Sequence, residues 1–86
     1  MRIEKKVWPE YFQLILDNKK KFELRLGDFK CNQGDILVLR EWEPKTKNYT
    51  GRKTEKIVNH VIKTKDLKFW PEEETVKHGF QIIAFE

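Results

Sequence analysis

Lys20, Glu23 and Arg25 carry the most concentrated chemistry in the chain, within the run Asn18-Lys19-Lys20-Lys21-Phe22-Glu23-Leu24-Arg25. An ammonium, a carboxylate and a guanidinium within six positions can read a polar, phosphate-bearing ligand. Lys20 and Arg25 would hold phosphate or a base carbonyl, while Glu23 accepts from an exocyclic amine or a sugar hydroxyl. On an extended segment Glu23 and Arg25 leave the same face roughly 7 Å apart at the backbone, close enough to share a ligand or to pair. Lys20 joins them only if the chain bends at a helix exit. The competing account is a solvated strand face whose ion pairs contribute about 0–1 kcal/mol each.

A second constellation follows. Arg40, Glu41, Trp42 and Glu43 end the apolar run Ile36-Leu37-Val38-Leu39, and Tyr49-Thr50-Gly51-Arg52 lies shortly after it. Trp42 could stack on a base, a contact worth about 1–3 kcal/mol in single-strand binders, or it could cap the core edge. Tyr49 and Arg52 offer a ring and a guanidinium on a loop tip, or an ordinary solvated turn. Lys63, Lys65 and Lys68 beside Trp70 could track a phosphate backbone or simply keep a surface soluble. Trp8 and Tyr11 read as core at helical spacing, and His60 as a structural histidine amid apolar neighbours. Cys31, His60 and His78 are too widely spaced for a local metal-ligand pair, so no metal and no cofactor are expected.

The elements that must position these residues follow from periodicity. Residues 2–7 suit a short first strand, and Pro9 opens a helix running to about Asp17 with Phe12, Ile15 and Leu16 on its buried face. Asn18 stands where a left-handed C-cap is wanted, with Lys19 to Lys21 at the negative end of the helix dipole. Residues 21–26 alternate, with Phe22, Leu24 and Leu26 opposite Lys21, Glu23 and Arg25, as a half-buried strand does. Gly34-Asp35 launches the apolar run as a strand covered on both faces. Pro44 to Gly51 is expected as a hairpin loop before a long strand at about 53–63, with Ile57, Val58, Val61 and Ile62 buried. Residues 64–78 form a polar excursion, and Phe80 to Phe85 a closing strand. These counts predict an α+β fold: a small mixed pseudo β-barrel of five to six strands with one main helix, and not a parallel α/β fold.

The 86 residues suit a single domain spanning 1–86, since a chain of this size builds one core. The 38% apolar and 37% charged content is that of a globular chain with well-mixed signs. A formal charge of +4 favours encounter with polyanions without requiring one as partner. The lone Cys31 points to a reducing compartment, and no stretch approaches the roughly 18 apolar residues of a membrane span. A cytoplasmic, monomeric protein without a membrane partner is expected.

Lys20-x-x-Glu23-x-Arg25 is similar to the G-x-K-x-x-E-x-R signature of ASCH domains in the PUA-like superfamily. The likeness extends through Trp8-Pro9-Glu10-Tyr11-Phe12, Gly34-Asp35-Ile36-Leu37-Val38-Leu39-Arg40-Glu41-Trp42-Glu43-Pro44 and Tyr49-Thr50-Gly51-Arg52, and is weak from Lys63 to His78. Together these resemble the compact bacterial and phage proteins labelled RNA-binding proteins with a PUA-like domain. Asn18 stands where that signature has glycine, and Gly27-Asp28-Phe29 where Asn-Asp-Arg is common, which removes a basic side chain. The resemblance implies a PUA-like pseudo-barrel with a cleft lined by Lys20, Glu23 and Arg25 and an RNA or modified-nucleotide ligand. Arg40, Glu41, Trp42, Tyr49 and Arg52 complete the expected nucleic-acid-binding set. A related amidohydrolase uses threonine where this chain has Glu23, so catalysis is not the leading expectation. A hydrolytic role would fall to Glu23 activating water, with Lys20 or Arg25 stabilising charge. A protein-interaction accessory role is the third possibility.

Overall fold

The computed structural model describes residues 1–79. Its elements are β1 (Arg2–Val7), α1 (Pro9–Leu16), β2 (Ile36–Glu43), β3 (Asn48–Ile57), a 3-10 turn (Thr64–Asp66) and α2 (Glu72–His78). Among the described residues the strands form one open mixed sheet in the order β1-β2-β3, with β1 parallel and β3 antiparallel to the central strand.

Local chemistry explains the first half of this architecture. Trp8 alone joins β1 to α1, and Pro9 enters at the first helical position, where its missing N–H costs nothing. The helix ends in a Schellman motif: Asn18 adopts φ 58°, Lys19 N–H reaches Leu14 C=O at 2.9 Å and Asn18 N–H reaches Ile15 C=O at 3.1 Å. That reversal supplies the bend Lys20 needs. Phe12 and Ile15 face the sheet and pack with Val7 and Leu39, with Leu37 beside them. Phe12 is fully excluded from solvent. The sheet side bearing α1 therefore holds this apolar cluster.

Parallel strands need a crossover. Here α1 and the irregular stretch 17–35 provide it, and β1 pairs parallel to β2 within a sheet that is mixed overall. The loop before β2 is fastened by Asn32 N–H to an Asp35 carboxylate oxygen at 2.9 Å, and Val58 N–H to Asp35 C=O at 2.8 Å anchors the chain leaving β3 beside it.

The five-to-six-stranded pseudo-barrel is not what forms. Residues 21–26 alternate in sequence yet build no strand: Leu24 and Leu26 are 68% and 81% exposed, so the face meant to drive pairing gains no burial. Side chains hold this segment instead of a ladder, as described below. The expected strand at 53–63 is displaced to 48–57, with Val58 buried but Ile57, Val61 and Ile62 exposed. The polar excursion contains a second helix, α2, whose first turn carries Glu72, Glu73 and Glu74 and whose last carries Lys77 and His78, both favourable to the helix dipole. The closing strand expected at Phe80 to Phe85 lies outside the described residues. No helix among the described residues is long and apolar enough to cross a membrane.

Candidate functional site

Lys20, Glu23 and Arg25 converge. Lys20 Nζ donates to one Glu23 carboxylate oxygen at 2.8 Å and Arg25 Nε donates to the other at 2.9 Å. Each cation is also tied to backbone: Lys20 Nζ to Phe22 C=O at 2.8 Å, and Arg25 to the Lys6 C=O of β1 at 2.5 Å. The last bond clips the extended segment to β1. The Glu23 and Lys20 side chains are 14% and 16% exposed and Arg25 32%, so the trio is sheltered without being sealed. The bend that delivers Lys20 is the Asn18 reversal, which a β-branched residue would resist.

The trio lines a cleft of about 830 Å³ between residues 18–31 and 56–65, floored by Ile15, Leu37 and Leu39. Seven of its lining side chains are Lys or Arg, and Glu23 is the lone carboxylate among them. Such a hollow favours an anion. Lys5 is one of these cations, its Nζ 3.6 Å from the centre of the Phe29 ring, and Lys20 Nζ lies 4.8 Å from the Phe22 ring. Lys5 of β1 thus brings a cation against Phe29 in the turn. Lys5, Phe22 and Phe29 were not legible as cleft residues, since strand alternation in β1 speaks only of a face and Phe22 reads as core. His60 also lines the cleft and is exposed, not the structural histidine of a buried strand.

The other expected residues lie elsewhere. Glu41 is buried at 5% exposure and receives Arg52 Nε at 3.0 Å, an Arg52 terminal nitrogen at 2.9 Å and the Thr50 hydroxyl at 2.5 Å. Arg52 further donates to Gln13 of α1 at 3.3 Å and lies 5.0 Å from the Phe12 ring. Hydrogen bonds from Arg52, then from Thr50, hold the Glu41 carboxyl below its ordinary value of 4.5 against the opposing effect of burial, and Glu41 raises Arg52 in turn. This is a brace between the hairpin and α1. A bulge makes it possible: Thr50, Gly51 and Arg52 of β3 stand opposite Glu41 alone, between the pairs Arg40–Lys53 and Trp42–Tyr49. Gly51 takes φ 99° there, so both Thr50 and Arg52 reach one carboxylate.

Arg40, Trp42 and Tyr49 are not part of the cleft. Strand alternation sends Arg40 and Trp42 to the sheet face opposite Leu37 and Leu39. There the Arg40 guanidinium lies 3.8 Å from the Tyr49 ring centre, and Lys6 Nζ lies 4.7 Å from Trp42. The structure thus resolves the eight expected residues into an ionic trio, a structural brace and a separate aromatic surface. Among the described residues no group of three His, Cys, Asp or Glu side chains could hold a metal ion.

The chain is similar to an uncharacterized 12.9 kDa protein in the GpA 3' region of Escherichia phage P2, with 37% identity over 75 residues. That match covers 87% of this chain and 64% of the phage protein, so the chain spans less than two thirds of that relative. No solved structure matches it. Residues 4–82 match the family described as "Domain of unknown function (DUF3850)", a match that takes in the cleft, the brace and the sheet, and the chain belongs to that family.

Proposed function

We propose that the protein binds a nucleotide, free or within RNA, in the cleft beside Lys20, Glu23 and Arg25. The observation that carries this reading is the Glu23 carboxylate held between two cations at 2.8 and 2.9 Å on the wall of a hollow whose other charged side chains are all positive. The Lys20 ammonium and the Arg25 guanidinium keep further N–H donors, which suit a phosphate or a base carbonyl. Glu23, fixed in orientation, accepts from an exocyclic amine or a hydroxyl at the same time. Donor and acceptor side by side in a sheltered place discriminate a nucleotide from a bare phosphate. The apolar floor and the Phe22 ring offer contact for a base. The likeness of the Lys-x-x-Glu-x-Arg spacing to ASCH domains supports the same ligand class.

The test is an amide NMR titration with nucleoside monophosphates, acetylated and methylated nucleosides, and short RNAs. Shifts are expected at residues 18–31 and at Lys5. Lys20→Ala and Arg25→Ala should each weaken binding about tenfold or more, the loss expected of a charge-assisted hydrogen bond. Shifts absent from this region across the panel would refute the proposal.

A further inference from the structure

Strand register places three cations side by side on the sheet face turned away from α1. Lys6 of β1 is paired with Arg40 of β2, and Arg40 with Lys53 of β3. Strands lie about 4.8 Å apart, so this row spans roughly 10 Å across the sheet. Like charges directly opposite one another repel, and the flanking row Glu4–Val38–Glu55 on the same face offsets part of that. Glu4 approaches Arg40 only to 3.9 Å and is 65% exposed, while Glu55 is engaged by Arg2. Among the described residues neither Lys6 nor Lys53 makes an ion pair.

The row on the other side of these cations is aromatic. Trp42 and Tyr49 are register partners, one pair beyond the bulge, with Tyr49 43% exposed. Lys6 and Arg40 lean over these rings. A shallow hollow of about 390 Å³ opens beside them, lined by Arg40, Tyr49 and Lys53 together with Gly51, Arg52 and the carboxylate of Glu4. A row of positive charge alongside a row of rings matches a ligand with a charged backbone on one side and flat bases on the other. A single nucleotide would engage one ring and part of the row, whereas a strand can use all of it.

We infer that this face is a docking surface for single-stranded nucleic acid, with Lys6, Arg40 and Lys53 contacting phosphates and Tyr49 and Trp42 stacking bases. The ligand class rests on the reading of the cleft; the surface itself does not, because the two lie on opposite sides of the sheet. A strand passing the β1 edge, where Arg25 holds the Lys6 carbonyl, could engage both.

The test measures fluorescence anisotropy of a labelled 12-nucleotide uridine RNA between 50 and 200 mM salt. The double variant Arg40→Gln/Lys53→Gln should flatten the plot of log affinity against log salt by about 1.4, two contacts at about 0.7 each for single strands. Tyr49→Leu should weaken binding about fivefold or more with little change in slope. Lys53→Gln alone, at an exposed position, guards against misfolding of the double variant and should lower the slope by about 0.7. Unchanged slope in both charge variants, unchanged affinity in Tyr49→Leu, equal competition by polyglutamate, or no RNA binding at 50 mM salt would each overturn the inference. Loss of binding in Lys20→Ala with none in the face variants would overturn it while leaving the cleft reading intact. Loss in the face variants alone, with nucleotide titrations silent at Lys20 to Arg25, would support the surface and refute the cleft.

Discussion

Replacing Glu41 with glutamine should destabilise the protein by about 2 kcal/mol at neutral pH, and the structure sets both size and sign. Glu41 is buried and accepts three hydrogen bonds, two of them from the Arg52 guanidinium. Charge-assisted bonds contribute about 1.5–3 kcal/mol each. Glutamine keeps one carbonyl acceptor but turns an N–H₂ toward a donor, losing one such bond outright and weakening the rest. The Arg52 side chain is 50% exposed and regains water when released, which draws the total toward the lower end. For a domain of this length about 2 kcal/mol corresponds to a fall in Tm of about 8–16 °C.

The pH dependence sharpens the test. The folded protein holds the Glu41 carboxyl below 4.5, so its contribution is fully present above that pH and is lost as pH falls through the lowered folded value. The Tm gap between wild type and Glu41→Gln, followed by circular dichroism from pH 7 downward, should therefore be widest near neutrality and narrow in acid below pH 4.5. A loss smaller than about 2 °C at pH 7, or a gap that stays constant into acid, would refute the brace as the source of stability.

Other outcomes follow from single positions. Phe12→Ala removes the fully buried ring between α1 and the sheet and should cost about 3–5 kcal/mol in urea denaturation, a large share of what an 86-residue domain has to lose. Asn18→Val should cost about 1–2 kcal/mol, because a β-branched residue resists φ 58°. Asn18→Gly should be nearly neutral and leave Lys20 in place, which ligand titration would verify. Lys20→Ala, sited on a segment that forms no strand, should lower nucleotide affinity while moving Tm little, whereas Arg25→Ala also frees that segment from the Lys6 carbonyl and should lower both.

How far the sequence could be read depends on whether a feature is local. Pro9 and Asn18 act within one helical turn, so the start of α1, its end and the reversal toward Lys20 follow from residue type alone. The spacing of Lys20, Glu23 and Arg25 likewise suffices for a local pair, since their mutual bonds span two or three residues. By contrast, the resemblance groups Trp42 and Tyr49 with that trio, and the structure separates them. Alternation alone sends Trp42 and Arg40 to the far face, but which face bears the cleft depends on where α1 packs. The failure at residues 21–26 has the same origin: alternation marks a possible strand, whereas a strand also needs a partner edge. Arg25 meets the β1 edge with a side chain instead.

The amino-acid order by itself determined what neighbours in the chain can settle: where α1 begins and stops, which charges sit within reach of Glu23, and that Ile36 to Leu39 form a strand, with Val38 and Leu39 buried. Tertiary structure alone decided what distant segments do together. It placed Lys5 against Phe29, gave the Glu41 carboxylate to Arg52 and Thr50 through a bulge, and aligned Lys6, Arg40 and Lys53 in one row. Register between strands and the packing of a helix on one face are set by the burial of apolar surface across the whole domain, and no local spacing encodes them.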